Sequence, residues 1–244
     1  MQNSPGVALL MGMGTGKTLV SVSVTNIIKA KKVLVLAPVS VVGVWGREFA
    51  QHSAGEFNVV PLRKLDRKTP LSVAEKAKMA AEALKSKKPT IIVTNYESAW
   101  RKPLADLFLK EDWDLIIADE IHKVQNPTSK ISKFLYKLGP KAEFRLGLTG
   151  TEFGGSGNQL NIFGQYKFLN QTVFGGRFDS FAYRYSVPDN FGRPKRFINE
   201  EDLKNKIDQL ASELGFEIDR ISVMDASRRS TKLNAFFSGL GKHR

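Results

Sequence analysis

The sequence predicts an α/β domain: a parallel central sheet covered by helices. Three observations predict it. Short apolar runs alternate with helical patterns from residue 7 to residue 148. Several of these runs, among them Val33-Leu-Val-Leu-Ala37, Thr90-Ile-Ile-Val-Thr94 and Leu115-Ile-Ile-Ala118, are apolar at nearly every position. That is the mark of strands covered on both faces. The 244 residues are 42% hydrophobic, enough to pack the core of one large domain or of one domain with an appendage.

Taken in order, Val7–Leu10 reads as the first strand and Lys17–Ala30 as the first helix. Val33–Ala37 is a strand stopped by Pro38, and Ser40–His52 a helix. Phe57–Leu62 is a weaker strand. Pro70–Lys85 is rich in Ala and Lys and helical, with its proline near the start. Thr90–Thr94 is a strand. Tyr96–Leu109 is helical but kinked or divided at Pro103. Leu115–Ala118 is a strand, Ser129–Leu138 a helix and Phe144–Leu148 a strand.

After Gly150 the texture changes. Gly154–Gly157 is a loop and Asn158–Leu169 an amphipathic helix. Residues 174–196 mix aromatics with Gly and Arg, Glu200–Leu214 is a charged helix, and residues 220–244 are basic without a period. This divides the chain into residues 1–152 as the main lobe, 153–200 as its helical, aromatic-rich extension, and 201–244 as a helix with a basic tail. No internal repeat at solenoid periods is present.

The chemistry concentrates at three strand ends. The first strand leads into Met11-Gly-Met-Gly-Thr-Gly-Lys-Thr18. Between a strand and a helix, this is a phosphate cradle. Gly12, Gly14 and Gly16 let backbone N–H groups, with Met13 and Thr15 between them, turn toward one centre. The new helix adds its positive dipole end. Lys17 would reach the β- and γ-phosphates of a nucleotide, and the Thr18 hydroxyl would hold Mg²⁺. The strict G-x-x-x-x-G-K-[ST] pattern asks for glycine where Met11 stands.

The strand Leu115–Ala118 ends in Asp119-Glu-Ile-His122. Ligands of parallel α/β sheets bind at the C-terminal edge. Lys17, Thr18, Asp119 and Glu120 should therefore converge. Asp119 is expected to bind Mg²⁺ and Glu120 to position and deprotonate a water. The third station is Leu148-Thr-Gly-Thr151, where the hydroxyls of Thr149 and Thr151 could reach the Asp119–His122 loop. A plain turn is the alternative reading of that third segment.

Taken together and in this order, the stations resemble the first RecA-like lobe of a superfamily-two helicase, and more narrowly the Swi/Snf-type DNA-dependent ATPases. Met13–Thr18 is similar to their motif I. Val33–Pro38 with Ser40, Trp45 and Glu48 is similar to motif Ia and the segment after it. Val93–Glu97 is similar to their next segment. Asp119–His122 is similar to the D-E-x-H motif II, and Leu148–Thr151 to motif III. Leu160–Leu169 and Val173–Gly175 resemble the helical region beyond.

The resemblance implies ATP contacts for Gly14, Gly16, Lys17 and Thr18, and Mg²⁺ and water activation for Asp119 and Glu120. It implies coupling of nucleotide state by His122, Thr149, Gly150 and Thr151, and a DNA-facing setting for Pro38 and Asn95. Double-stranded DNA is the partner it implies. It also implies a second RecA-like lobe that supplies an arginine finger, a group worth on the order of 10³–10⁵ in rate. No second lobe is expected within this chain, so weak hydrolysis is expected unless one is supplied in trans. A nucleotide- or DNA-binding module without turnover is the alternative. Glu152 stands where the family usually has proline, and the adenine-reading glutamine segment upstream of motif I is not expected here.

In residues 201–244, the segments Leu203–Phe216, Ile221–Asp225, Ser227–Ser230 and Asn234–Phe237 resemble instead a stretch of CAAX-prenyl-protease-type zinc metalloproteases, with an ordinary helix and basic tail of the helicase lobe itself as the alternative reading. The histidines are His52, His122 and His243, with no H-E-x-x-H among them, so no zinc site is expected. There is no cysteine, hence no disulfide framework. No apolar run approaches the roughly 20 residues that span a bilayer, and the N-terminus lacks a signal-peptide layout. A cytoplasmic location, in a bacterial or phage-infected cell, is the expectation. The formal net charge of +13 favours a polyanionic partner. Arg177, Arg184, Arg193, Lys195 and Arg196, interleaved with Phe and Tyr, form the best basic patch. Trp45, Trp100 and Trp113 sit among apolar neighbours and read as core.

Overall fold

A computed structural model describes residues 6–10, 14–53, 55–64, 70–150 and 158–213. Six parallel strands form the central sheet: β1 (Gly6–Leu10), β2 (Lys32–Ala37), β3 (Asn58–Pro61), β4 (Thr90–Asn95), β5 (Trp113–Asp119) and β6 (Ala142–Thr149). They lie side by side in the order β1-β6-β5-β2-β4-β3. The crossovers are α1 (Lys17–Ile27), α2 (Val42–His52), α3 (Val73–Ala83), the short α4 (Tyr96–Ala99) with α5 (Leu104–Lys110), and α6 (Lys130–Leu138).

The side-chain alternation of β2 explains the layers. Val33, Val35 and Ala37 pack with Val22 and Val24 of α1 and with Val42, Trp45 and Phe49 of α2. Leu34 and Leu36 point the other way, into a core shared with Ala80 of α3, Phe108 of α5, Leu135 of α6 and Phe168. Because both faces are covered, the strand has no polar face, which is why its sequence shows no alternation. The architecture is the expected α/β, RecA-like one. Trp113 is in the second of these cores, with its indole N–H on the Phe108 carbonyl at 3.0 Å.

Local chemistry sets the ends. Ser72 and Glu75 form a reciprocal capping box at α3, Glu75 N–H donating to Ser72 Oγ at 3.2 Å and Ser72 N–H to Glu75 Oε2 at 2.7 Å. The helix therefore starts at Val73 rather than at Pro70. Pro103 divides the segment after β4 into two helices, because it can neither donate an N–H nor accept the preceding turn. The weaker strand is the edge strand β3, half-buried along its length.

Beyond β6 come α7 (Ile162–Leu169), α8 (Phe178–Tyr185), a hairpin of β7 (Ser186–Pro188) and β8 (Pro194–Phe197), and α9 (Glu200–Glu213). Leu160, Ile162, Phe163, Phe181 and Tyr185 share a satellite cluster with Leu203 and Ile207 of α9. α7 also touches the sheet. A Cβ on Gly164 would strike the Val124 carbonyl, and one on Gly6 of β1 would strike the Leu169 carbonyl. Arg145 of β6 bridges the same junction, donating from Nε to the Leu169 carbonyl (2.7 Å) and from a terminal nitrogen to the Gly139 carbonyl (2.9 Å). It thus satisfies carbonyls at the C-terminal ends of α7 and α6, where a cation also suits the helix dipole. Burial pulls its guanidinium down to about 10, still cationic at neutral pH. The tail residues 214–244, on which most of the expected likeness to metalloproteases falls, lie outside the described residues.

Candidate functional site

Three neighbouring strands deliver the three stations to one edge. Leu148 of β6 is in register with Leu9 of β1 on one side and with Asp119 of β5 on the other. Thr149 is in register with Leu10, the last residue before the glycine-rich loop. Thus the ends of β1, β6 and β5 stop at one level. The loop that follows β1 and the acidic pair that ends β5 flank Thr149.

Gly14 (φ 75°) and Gly16 (φ 88°) are both in the left-handed region, with no atom within 4 Å of a Cβ built on either. The Cβ side of both residues is therefore open, and their left-handed backbone is of the kind from which anion-binding nests are built. Gly16 is the N-cap of α1, without any capping side chain. Gly12, Met13 and Thr151 lie outside the described residues.

Asp119 sits on the face of the sheet that carries α1 and α2. Its Oδ2 accepts the indole N–H of the buried Trp45 at 3.1 Å, and its backbone carbonyl accepts the Tyr96 hydroxyl at 2.7 Å. Burial raises the Asp119 carboxyl above its ordinary value of 3.8. The Trp45 bond opposes that rise, the Glu120 charge adds to it, and the Lys17 charge opposes it. The geometry behind this proximity is the register of the strands, which ends β1 and β5 at one level on either side of β6.

Glu120 adopts φ 53°, ψ 55°, a left-handed conformation uncommon outside glycine. It ends β5 and turns the chain into a single 3₁₀ turn, Ile121–Val124. The turn brings His122 back over the strand ends. His122 Nδ1 lies 3.2 Å from Glu120 Oε2 and 3.4 Å from Thr149 Oγ1. Ile121 fills the space above Gly147, where a Cβ would come within 2.6 Å of Ile121 Cδ1. Ser132 Oγ then ties the outgoing loop to α6 through the carbonyls of Val124 (3.1 Å) and Asn126 (2.6 Å).

Two participants were not legible in the sequence as site residues. Trp45 reads as core and is core, 1% exposed; the signal in its favour is that a buried indole N–H needs an acceptor. Tyr96 follows the same logic. By contrast, the Asn95 side chain is committed internally: Oδ1 accepts Lys76 Nζ at 2.7 Å and Nδ2 donates to Glu97 Oε2 at 2.8 Å. At the opposite, N-terminal strand edge, Lys32 pairs with Glu111 and Lys88 with Glu56.

Among the described residues, no three His, Cys, Asp or Glu side chains converge on one point. A nucleotide-bound Mg²⁺ does not need such a cage, since it takes one or two protein ligands plus substrate phosphates and waters. The half-buried Asp119 carboxylate, a threonine at the start of α1 and the left-handed Gly14 and Gly16 fit that group.

Fold and site together define a RecA-like α/β domain with its polar residues gathered at the sheet's C-terminal edge. The SNF2-related domain matches residues 1–223, and the chain belongs to that family. It is 24% identical over 224 residues to Switch 2 of Arabidopsis thaliana and 27% identical over 234 residues to the DNA repair and recombination protein RDH54 of Saccharomyces cerevisiae. These alignments cover 84% and 86% of the chain but 24% of each relative. The chain thus spans about a quarter of the length of these curated relatives. In structure it resembles the Sulfolobus solfataricus SWI2/SNF2 ATPase core, solved in complex with dsDNA. The TM-score is 0.59 at 23% identity, over 84% of this chain and 39% of that one. Among the described residues, no helix is long and apolar enough to cross a membrane.

Proposed function

We propose that this chain is the ATP-binding lobe of a DNA-dependent, helicase-like ATPase. The register that ends β1, just before the glycine-rich loop, level with Asp119 at the end of β5 supports the reading. Gly12, Met13, Gly14, Thr15 and Gly16 cradle the phosphates, and Lys17 pairs with the β- and γ-phosphates. Thr18 and Asp119 hold Mg²⁺, which supplies charge neutralisation on the phosphates. Glu120 positions a water for in-line attack and takes its proton. His122 is within reach of both Glu120 and Thr149. It is therefore the group that relays nucleotide state from the acidic pair to the Thr149–Thr151 segment.

Double-stranded DNA is the polyanion that suits the +13 net charge. A second RecA-like lobe, acting in cis in a longer protein or in trans, completes the site with an arginine. A metalloprotease role for the tail is not part of this reading, since the histidines form no H-E-x-x-H. ATP turnover with and without double-stranded DNA, beside Lys17→Ala, tests the reading. DNA-stimulated turnover lost in the variant supports it. Nucleotide binding that depends on Lys17, with turnover unchanged on adding both DNA and a second lobe, favours a non-hydrolysing module instead.

A further inference from the structure

The hairpin after α8 is the most exposed aromatic feature of the described residues, and the site does not use it. β7 and β8 pair antiparallel, Ser186 opposite Phe197 and Val187 opposite Arg196. At the tip, Phe191 is 86% exposed, and Tyr183 on the neighbouring helix is 83% exposed. These are the two most exposed large apolar side chains of the described residues.

The exposure does not come from a loose loop. Asp189 Oδ1 accepts the N–H groups of Phe191 and Arg193, each at 2.8 Å. Asp189 N–H donates to the Arg193 carbonyl at 2.7 Å, and Gly192 N–H to the Asp189 carbonyl at 3.0 Å. Gly192 takes the left-handed φ of 76° that this turn requires. The base is fixed as well: Ile198 N–H donates to the Tyr185 carbonyl (3.0 Å) and Asn199 Nδ2 to the Arg184 carbonyl (2.7 Å). Phe197 packs on the satellite cluster. A knitted turn on an anchored base holds Phe191 outward.

Charge selects the occupant. Arg193, Lys195 and Arg196 are all exposed on the hairpin, and no ion pair among the described residues engages them. Arg184, by comparison, is paired with Asp202 at 3.2 Å. The hairpin's one carboxylate, Asp189, has an oxygen spent on two backbone N–H groups. Three uncompensated cations beside a bare aromatic ring suit a phosphate backbone with an accessible base. An intact duplex hides its base faces, so the fit is to DNA with a single-stranded arm.

We propose that the β7–β8 hairpin is a DNA-contact element in which Arg193, Lys195 and Arg196 meet phosphates and Phe191 stacks on an unpaired base. The proposal rests on the DNA-dependent reading above, and it adds a surface and a preferred DNA form.

The test is fluorescence anisotropy of the whole chain on a blunt duplex and on the same duplex with a single-stranded arm, between about 50 and 200 mM salt. The triple variant Arg193→Gln, Lys195→Gln, Arg196→Gln should weaken binding to both DNAs and reduce the log–log salt slope by roughly 2–3. Phe191→Ala should weaken binding to the armed duplex about tenfold, leave the salt slope alone, and be rescued by Phe191→Trp. Wild-type-like binding by both variants would overturn the hairpin proposal and leave the ATPase reading standing. No DNA binding by the wild type would overturn the hairpin proposal and the DNA-dependent reading together, with Lys17-dependent nucleotide binding judged separately. Loss of self-association in the variants, with DNA binding intact, would overturn it in favour of a contact between copies.

Discussion

The indole N–H of Trp45 donates to Asp119 Oδ2 at 3.1 Å, joining α2 to the acidic end of β5 across 74 residues of sequence. The bond matters because Asp119 is buried enough for its carboxyl to be raised, and Trp45 is among the groups that hold it down. It also occupies one carboxylate oxygen, so the ligand geometry offered to a cation is set by a core residue.

Trp45→Phe should keep most of the packing and lose the donor. The Asp119 carboxyl then rises further, and Mg²⁺-dependent nucleotide binding fails at a higher pH than in the wild type. The direction follows from the Trp45 bond being one of the groups that oppose the rise of the carboxyl. A binding titration against pH checks this. A lower melting temperature with an unmoved acid limb would mean that Trp45 only packs.

Asp119→Asn should stabilise the nucleotide-free domain at neutral pH. The sign follows from the raised carboxyl: its stability contribution is present below the ordinary value of 3.8 and is lost as pH rises through the folded value. The wild type therefore carries a penalty at pH 7 that the amide lacks. Melting curves across pH should show the variant's advantage shrinking as pH falls toward the ordinary aspartate range.

Arg145→Leu should cost about 2–5 kcal/mol, because two helix-end carbonyls, Leu169 and Gly139, lose their donor inside the protein. Arg145→Lys should recover less than half, since one ammonium does not reproduce the guanidinium fork. Chemical denaturation reads both.

Gly164→Ala should push α7 away from the turn after Glu120, since the new methyl meets the Val124 carbonyl. A loss of about 1–3 kcal/mol is expected. Because Ile121–Val124 carries His122, the same variant should also disturb nucleotide-linked behaviour more than Arg145→Lys does at equal stability loss.

Burial decides how much of the fold could be read in advance. Strands β2, β4 and β5 are covered on both faces and announce themselves as apolar runs, and Gly-Lys-Thr after a strand announces the loop. Edge elements announce themselves poorly. β7 and β8 have three and four residues, contain Pro188 and Pro194, and are mostly exposed, so residues 186–197 show aromatics and arginines but no strand pattern. The division of α4 from α5 was legible because Pro103 forces it. The role of Trp45 was not, because a tryptophan inside an apolar helix face looks the same whether or not its N–H finds a carboxylate. Asn95 illustrates the converse: its place at the end of β4 was legible, but its hydrogen bonds to Lys76 and Glu97 exist only once α3 is docked.

The central claim is that the loop ending in Lys17-Thr18 and the strand end at Asp119 form one Mg²⁺–nucleotide site. Equilibrium titration of a fluorescent ATP analogue, with and without Mg²⁺, into wild type, Lys17→Ala and Asp119→Asn tests it most directly. Lys17→Ala should lose at least about tenfold in affinity under both conditions, as expected for a charge-assisted phosphate contact. Asp119→Asn should lose only the enhancement due to Mg²⁺. Full Mg²⁺ enhancement in Asp119→Asn, or unchanged binding in Lys17→Ala, would contradict the account.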